Sequence, residues 1–169
     1  LVLTGGRRYA DNTDVAGIEA ALAQNGVELR GARVAILGAG GAARAVAAAA
    51  RRSGASALVV AARNLDRATA LARDFDAQGT SLDAVPVADI YVNATPVGME
   101  GQPQRSLLPA DAPPGAAAFD LVYTPAVTPF LIDADKRGLR PVPGTGMFFA
   151  QGAATFARWF GIVPKEVNA

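Results

Sequence analysis

The chain has 169 residues, a formal net charge of +1, and neither cysteine nor histidine. That length suits one ordinary globular domain, and the near-zero charge gives no electrostatic case for nucleic acid or an anionic membrane. The absent residue types exclude disulfides, thiolate chemistry and a histidine base; they point to a cytoplasmic protein and to no metal site. Apolar runs are short and broken by Gly, Pro and charge, so no membrane span is expected. The first residues, Leu1-Val2-Leu3, carry no Met and no signal-like region, and read as a cut end.

Leu1-Val2-Leu3-Thr4, then Gly5-Gly6, then Arg7-Arg8-Tyr9-Ala10 predicts a hairpin closed by a glycine turn. A lone hairpin is marginal, so residues 1–12 are expected to be the trailing edge of a preceding, absent domain. Asp11-Asn12-Thr13-Asp14 can cap the next helix, which carries Val15, Ile18 and Leu22 on one face and stops at Asn25-Gly26.

Residues 33–37 then form a short apolar run of the kind buried on both faces of a sheet. Gly38-Ala39-Gly40-Gly41-Ala42-Ala43 follows and opens an Ala-rich helix ending near Arg52. Gly38 lets the chain turn off the strand, Gly40 lets a pyrophosphate approach the backbone, and Ala43 lets helix and strand pack closely. The free N–H groups and positive dipole end of that helix face the phosphates. A strand before and a helix after supply the context that a dinucleotide loop requires.

Residues 57–61 predict the second strand. Where an acid would hold the ribose 2′-hydroxyl of NAD, this chain has Ala62-Arg63-Asn64, with Arg67 four residues beyond Arg63. Cations at a helix start are unfavourable unless an anion visits, so Arg63 and Arg67 point to the 2′-phosphate of NADP. The other reading of the pair is solvated surface charge. A helix over 66–74 and a loop containing Gly79 come next, then a strand over 89–94 that runs into Thr95-Pro96-Val97-Gly98-Met99. A loop leaving the carboxyl end of a parallel strand is where ligands sit in this architecture.

The prolines of 100–115 preclude long regular structure there. A strand over 116–123 closed by Pro125, a helix begun by Thr128-Pro129 and ended at Gly138, and a strand over 139–142 complete the alternation. After Gly144-Thr145-Gly146 a long amphipathic helix over 147–160 carries Phe148, Phe149, Phe156, Trp159 and Phe160, which are expected to be core. Strand and helix alternate throughout, which predicts an α/β, Rossmann-like doubly wound, mostly parallel sheet with helices on both faces.

Taken in order, Asn12-Thr13-Asp14, Gly38-Ala39-Gly40-Gly41-Ala42, Ala62-Arg63-Asn64-Leu65-Asp66-Arg67, Asn93-Ala94-Thr95-Pro96-x-Gly98-Met99, Asp120-Leu121-Val122-Tyr123 and Gly146-Met147-x-x-x-Gln151 resemble the C-terminal half of shikimate dehydrogenase. The resemblance covers nearly the whole chain. It implies NADPH-dependent reduction of 3-dehydroshikimate to shikimate, with a second, N-terminal domain binding most of the substrate. It assigns Gly38, Ala39, Gly40, Gly41 and Ala42 to the pyrophosphate, and Ala62, Arg63, Asn64 and Arg67 to the adenosine 2′-phosphate. Thr95, Leu121 and Gly144 would line the nicotinamide side; Asp14 would be the catalytic aspartate, with Tyr123 and Gln151 touching substrate.

There are two departures from the family pattern. Ala62 stands where the family usually has Asn, and the family's catalytic lysine and carboxylate-binding serines belong to the N-terminal domain. Lys136 and Lys165, the chain's lysines, suit neither role, so the polypeptide by itself is expected to be an NADP-binding domain over 13–169 without turnover. In that case Asp14 could serve as no more than a helix cap. Other readings are a quinate/shikimate dehydrogenase that takes NAD, a non-catalytic NADP-binding module, and a reductase of the folate or glutamyl-tRNA type.

Overall fold

Alternation within the buried strands sets the layering. In β3 (Arg33–Leu37), Val34 and Ile36 join one core cluster while Ala35 and Leu37 join another. The neighbouring β4 (Ala57–Ala61) and β6 (Ile90–Asn93) divide the same way, so the sheet is buried on both faces. The computed structural model describes residues 2–162 except Gly5 and Asp11; Lys165 lies outside the described residues.

Six strands make one parallel sheet: β3, β4, β5 (Gln78–Thr80), β6, β7 (Ala117–Asp120) and β8 (Arg140–Val142), in the spatial order β5-β4-β3-β6-β7-β8. The chain runs outward from β3 to β5, then returns to the other side of β3. The switch point therefore lies between β3 and β6, where Val34 stands opposite Ile90 and Leu37 opposite Asn93. At the other end of this pair Arg33 and Asp89 form an ion pair at 2.6 Å, and the guanidinium hydrogen bond holds the Asp89 carboxyl below its ordinary range. A separate antiparallel hairpin joins β1 (Val2–Thr4) to β2 (Arg7–Tyr9), as the sequence predicts.

Helices cover both faces, unevenly. One cluster takes residues from α1 (Asp14–Gln24), α2 (Gly41–Arg52), α3 (Leu65–Arg73) and α5 (Gly144–Phe160). The other face is covered by α4 (Pro129–Lys136) with Val85, Ala88, Leu108 and Ala112 from irregular connections. Six alanines and valines of α2 are buried, and their small size brings that helix close to the sheet. Helix α1 meets α5 at Gly17, where a Cβ would stand 2.9 Å from the Met147 carbonyl oxygen and 3.1 Å from the Gln151 Cβ.

Four expectations need correction. Gly79 lies in the edge strand β5 rather than a loop, because Val59 to Ala61 pair with Gln78 to Thr80. Strand β7 stops at Asp120 rather than Tyr123, since the Asp120 carboxylate accepts the Val122 N–H and draws the backbone off the ladder. Helix α5 starts at Gly144, before the Thr145-Gly146 that sequence reading places ahead of it. Finally, the α5 aromatics are not core: Phe148, Phe149, Phe156, Trp159 and Phe160 are 41–60% exposed. The side of α5 that meets α1 is the row Met147, Gln151, Thr155, spaced by four, and the aromatics fall on other positions of the turn.

Candidate functional site

The loop from β3 into α2 is built on backbone proximity. Gly38 is buried at φ +129°, its N–H donates to the Ala61 carbonyl at 2.7 Å, and a Cβ there would stand 2.6 Å from the Ala94 carbonyl oxygen. Only glycine fits that contact. Two residues on the situation reverses. A Cβ on Gly40 or Gly41 would meet nothing within 4 Å, and Gly40, Gly41 and Ala42 are exposed while Ala43 is fully buried. Gly40 caps α2 without a side-chain bond, so the first-turn N–H groups look outward over open ground.

Beside this opening, at the exit of β4, Ala62 is buried while Arg63, Asn64 and Arg67 are exposed. Asn64 caps α3, its Oδ1 accepting the Arg67 N–H at 3.0 Å. Among the described residues neither Arg63 nor Arg67 has an acidic partner, whereas Arg44 in the first turns of α2 is paired with Asp74 at 2.7 Å. Two unneutralised guanidinium groups at a helix start are what an anion would stabilise. Arg63 also borders a cleft of about 740 Å³ lined by Ser81, Leu82, Arg105 and Leu108.

On the far side of the switch point lies a buried polar network that sequence reading missed. Asn93, Asp120 and Thr128 are 0–1% exposed. Asp120 Oδ1 accepts from Asn93 Nδ2 at 2.9 Å and from the Val122 N–H at 3.0 Å, and Asp120 Oδ2 accepts from Thr128 Oγ1 at 2.5 Å. Asn93 Oδ1 in turn accepts from Thr95 N and Oγ1 at 3.1 and 2.7 Å, and Asn93 Nδ2 donates to the Val97 carbonyl. Burial pushes the Asp120 carboxyl up to about 6, against the pull of its three hydrogen bonds. Gly144 closes this corner: a Cβ there would stand 2.6 Å from the Asp120 carbonyl and 2.8 Å from that of Val122. Thr95, Leu121 and Gly144 are thus gathered around one hydrogen-bonded framework. The sequence signal was an acid inside the apolar run Ala117-Ala118-Phe119-Asp120-Leu121-Val122.

Asp14, Tyr123 and Gln151 come together less directly. Asp14 opens α1, its N–H held by Asn12 Oδ1 at 2.8 Å, while Thr13 gives α1 no side-chain cap and instead meets Thr155 Oγ1 of α5 at 3.0 Å. Gly17, three residues after Asp14, packs on Gln151. Tyr123 is exposed and stacks on Phe148 with ring centroids 4.5 Å apart, three residues before Gln151. Asp14 and Gln151 thus belong to the two helices that meet at Gly17, while Tyr123 reaches α5 only through Phe148. Lys136 is in the last turn of α4.

The chain matches the model of the family described as Shikimate / quinate 5-dehydrogenase over residues 20–97. It is 43% identical over 173 positions to the shikimate dehydrogenase (NADP(+)) of Methylocella silvestris, covering 98% of this chain and 61% of that protein. The solved structure of shikimate 5-dehydrogenase from Thermus thermophilus in complex with NADP(H) and shikimate matches with a TM-score of 0.80 and 38% identity, over 96% of this chain and 61% of that one. Over nearly its whole length the chain is similar to members of the shikimate dehydrogenase family. Another neighbour of similar fold is the quinate dehydrogenase of Corynebacterium glutamicum in complex with NAD, at TM-score 0.80 and 29% identity, over 92% of this chain and 59% of that one. The chain spans about three fifths of the length of these shikimate dehydrogenase relatives.

Proposed function

We propose that this chain is the dinucleotide-binding part of an NADP-dependent shikimate dehydrogenase, reducing 3-dehydroshikimate to shikimate in the cytoplasm when joined to an N-terminal substrate domain. The observation that carries the reading is the open ground in front of Gly40 at the uncapped start of α2, together with Arg63 and Arg67 at the β4 exit, which have no acidic partner among the described residues. Gly38, Ala39, Gly40, Gly41 and Ala42 hold the pyrophosphate on backbone N–H groups. Ala62, Arg63, Asn64 and Arg67 surround the 2′-phosphate, with Asn64 fixing the turn that presents both guanidinium groups. Thr95, Leu121 and Gly144 border the nicotinamide.

When bound, the dinucleotide supplies hydride chemistry. The chain's own part is to bind, orient and exclude. Asp14, Tyr123 and Gln151 contact the substrate, with Asp14 tuning a proton donor rather than acting as the lone acid. An alkoxide developing on the substrate needs that donor, and Lys136 lies at the wrong end of α4. That donor is a lysine supplied by the substrate domain, for which the exposed aromatics of α5 offer an apolar surface, and without that domain no turnover is expected.

The test is calorimetric titration with NADPH and NADH. NADPH is expected to bind at least about tenfold more tightly, and Arg63→Ala with Arg67→Ala to erase the difference. Equal affinities in the unmodified chain, or a preference for NADH, would overturn the reading. That result would favour the NAD-dependent alternative, against which Arg63 and Arg67 now count.

A further inference from the structure

We infer that Asp120 is a positioning residue for the nicotinamide half of the site, locking the exit of β6 and the exit of β7 into one frame through its Oδ1 atom; the inference rests on the dinucleotide reading above. Asn93 Nδ2 and the Val122 N–H converge on that single oxygen at 2.9 and 3.0 Å. Asn93 carries the hold onward to Thr95 and Val97, and Thr95 Oγ1 accepts the Val97 N–H at 3.2 Å. The Val122 bond fixes Leu121 between two anchored residues. Oδ2 is tied to Thr128 Oγ1, which also accepts the Leu131 N–H at 3.3 Å, so the first turn of α4 is part of the same frame.

The adenosine half shares none of these bonds. Arg63, Asn64 and Arg67 hang on the exit of β4, where Asn64 ties the turn to α3 through its cap. Loss of the Asp120 carboxylate should therefore loosen one end of the dinucleotide site and spare the other. An ionised acceptor makes hydrogen bonds about twice as strong as a neutral one, so an ionised Asp120 holds Val122 and Asn93 more firmly than a protonated one. The groups bonded to it are Asn93 from β6, the Val122 N–H from the β7 exit and Thr128 from α4, Gly144 of α5 packs on the Asp120 backbone carbonyl, and none of these titrates. The carboxyl, raised by burial, is the titrating group of the frame.

The experiment compares the affinity of the full chain for NADPH with that for 2′-phospho-ADP-ribose, which lacks only the nicotinamide. Asp120→Ala should weaken NADPH binding about tenfold and leave the fragment within about twofold. Asp120→Asn keeps a carbonyl at the Oδ1 position, and its amide can donate to the Thr128 hydroxyl, so it should stay within about threefold of wild type. A second measurement needs no truncated side chain. Between pH 7 and pH 5 the ratio of NADPH affinity to fragment affinity should fall about threefold in wild type and stay flat in Asp120→Asn. Equal losses for both ligands in a folded Asp120→Ala protein would reduce Asp120 to a structural group, as would identical pH profiles for wild type and Asp120→Asn. A wild-type chain that binds neither ligand would instead sink the dinucleotide reading itself.

Discussion

Gly38 and Gly40 sit two residues apart and predict opposite failures. A Cβ at Gly38 would press on the Ala94 carbonyl at 2.6 Å, in a backbone conformation that L-residues avoid. Gly38→Ala should therefore destabilise the fold by about 1–3 kcal/mol, read as a lower denaturation midpoint at unchanged m. The Cβ of Gly40→Val would have no protein atom within 4 Å, so the variant should fold with near wild-type stability and lose NADPH binding, because the added methyls fill the cradle. A Gly40→Val chain that folds and binds normally would show that the cradle is elsewhere. Asp120 supplies a pH prediction. Its folded pKa of about 6 lies above the ordinary 3.8, so the folded state keeps a proton that the unfolded chain has released between those values. The contribution of Asp120 to stability should be greatest below pH 4, fall as pH rises to 6, and then level off, a loss of about 3 kcal/mol. Chemical denaturation across pH 4–7 should show that decline in wild type relative to Asp120→Asn, whose curve lacks it.

Between elements, the closest approach is between α1 and α5. A side chain at Gly17 must push Met147 and Gln151 away, so Gly17→Val should destabilise by about 1–3 kcal/mol and shift the melting temperature down by several degrees. If Gly17→Val melts like wild type, the two helices are not held at this spacing. The converse holds on the outer side of α5. Because Phe149 and Trp159 are 58% and 59% exposed, the inference that the α5 aromatics form core fails. Apolar periodicity reports that a face prefers to be covered; it cannot say whether the covering element is in this chain. The edge strand β5 escaped for the complementary reason. Gln78-Gly79-Thr80 has no apolar run, and its strand geometry comes from pairing with β4.

For the whole molecule, the prediction concerns turnover. The isolated chain should show no shikimate oxidation in an NADPH-absorbance assay, and fusion to an N-terminal domain of a shikimate dehydrogenase should restore it. In the fusion, Asp14→Asn should lower kcat by about 10²-fold or more with NADP affinity nearly unchanged. Activity in the isolated chain would remove the need for a second domain, and an active fusion indifferent to Asp14 would leave that residue as the opening of α1.

By itself the sequence determined the parallel α/β order, the glycine loop from Gly38 to Ala42, the arginines at the exit of β4 and the Thr128 cap. Each of these is a local signal: a turn needs glycine, a buried strand needs an unbroken apolar run, and a helix start needs an oxygen acceptor. Only the tertiary structure decided that Asn93, Asp120 and Thr128 share one buried framework, that Thr13 turns from α1 to Thr155, and that the α5 aromatics are left uncovered. These are facts of juxtaposition between residues as much as 142 positions apart, fixed by sheet order and helix packing. No pattern along the chain encodes which polar group will meet which once β6 and β7 lie side by side.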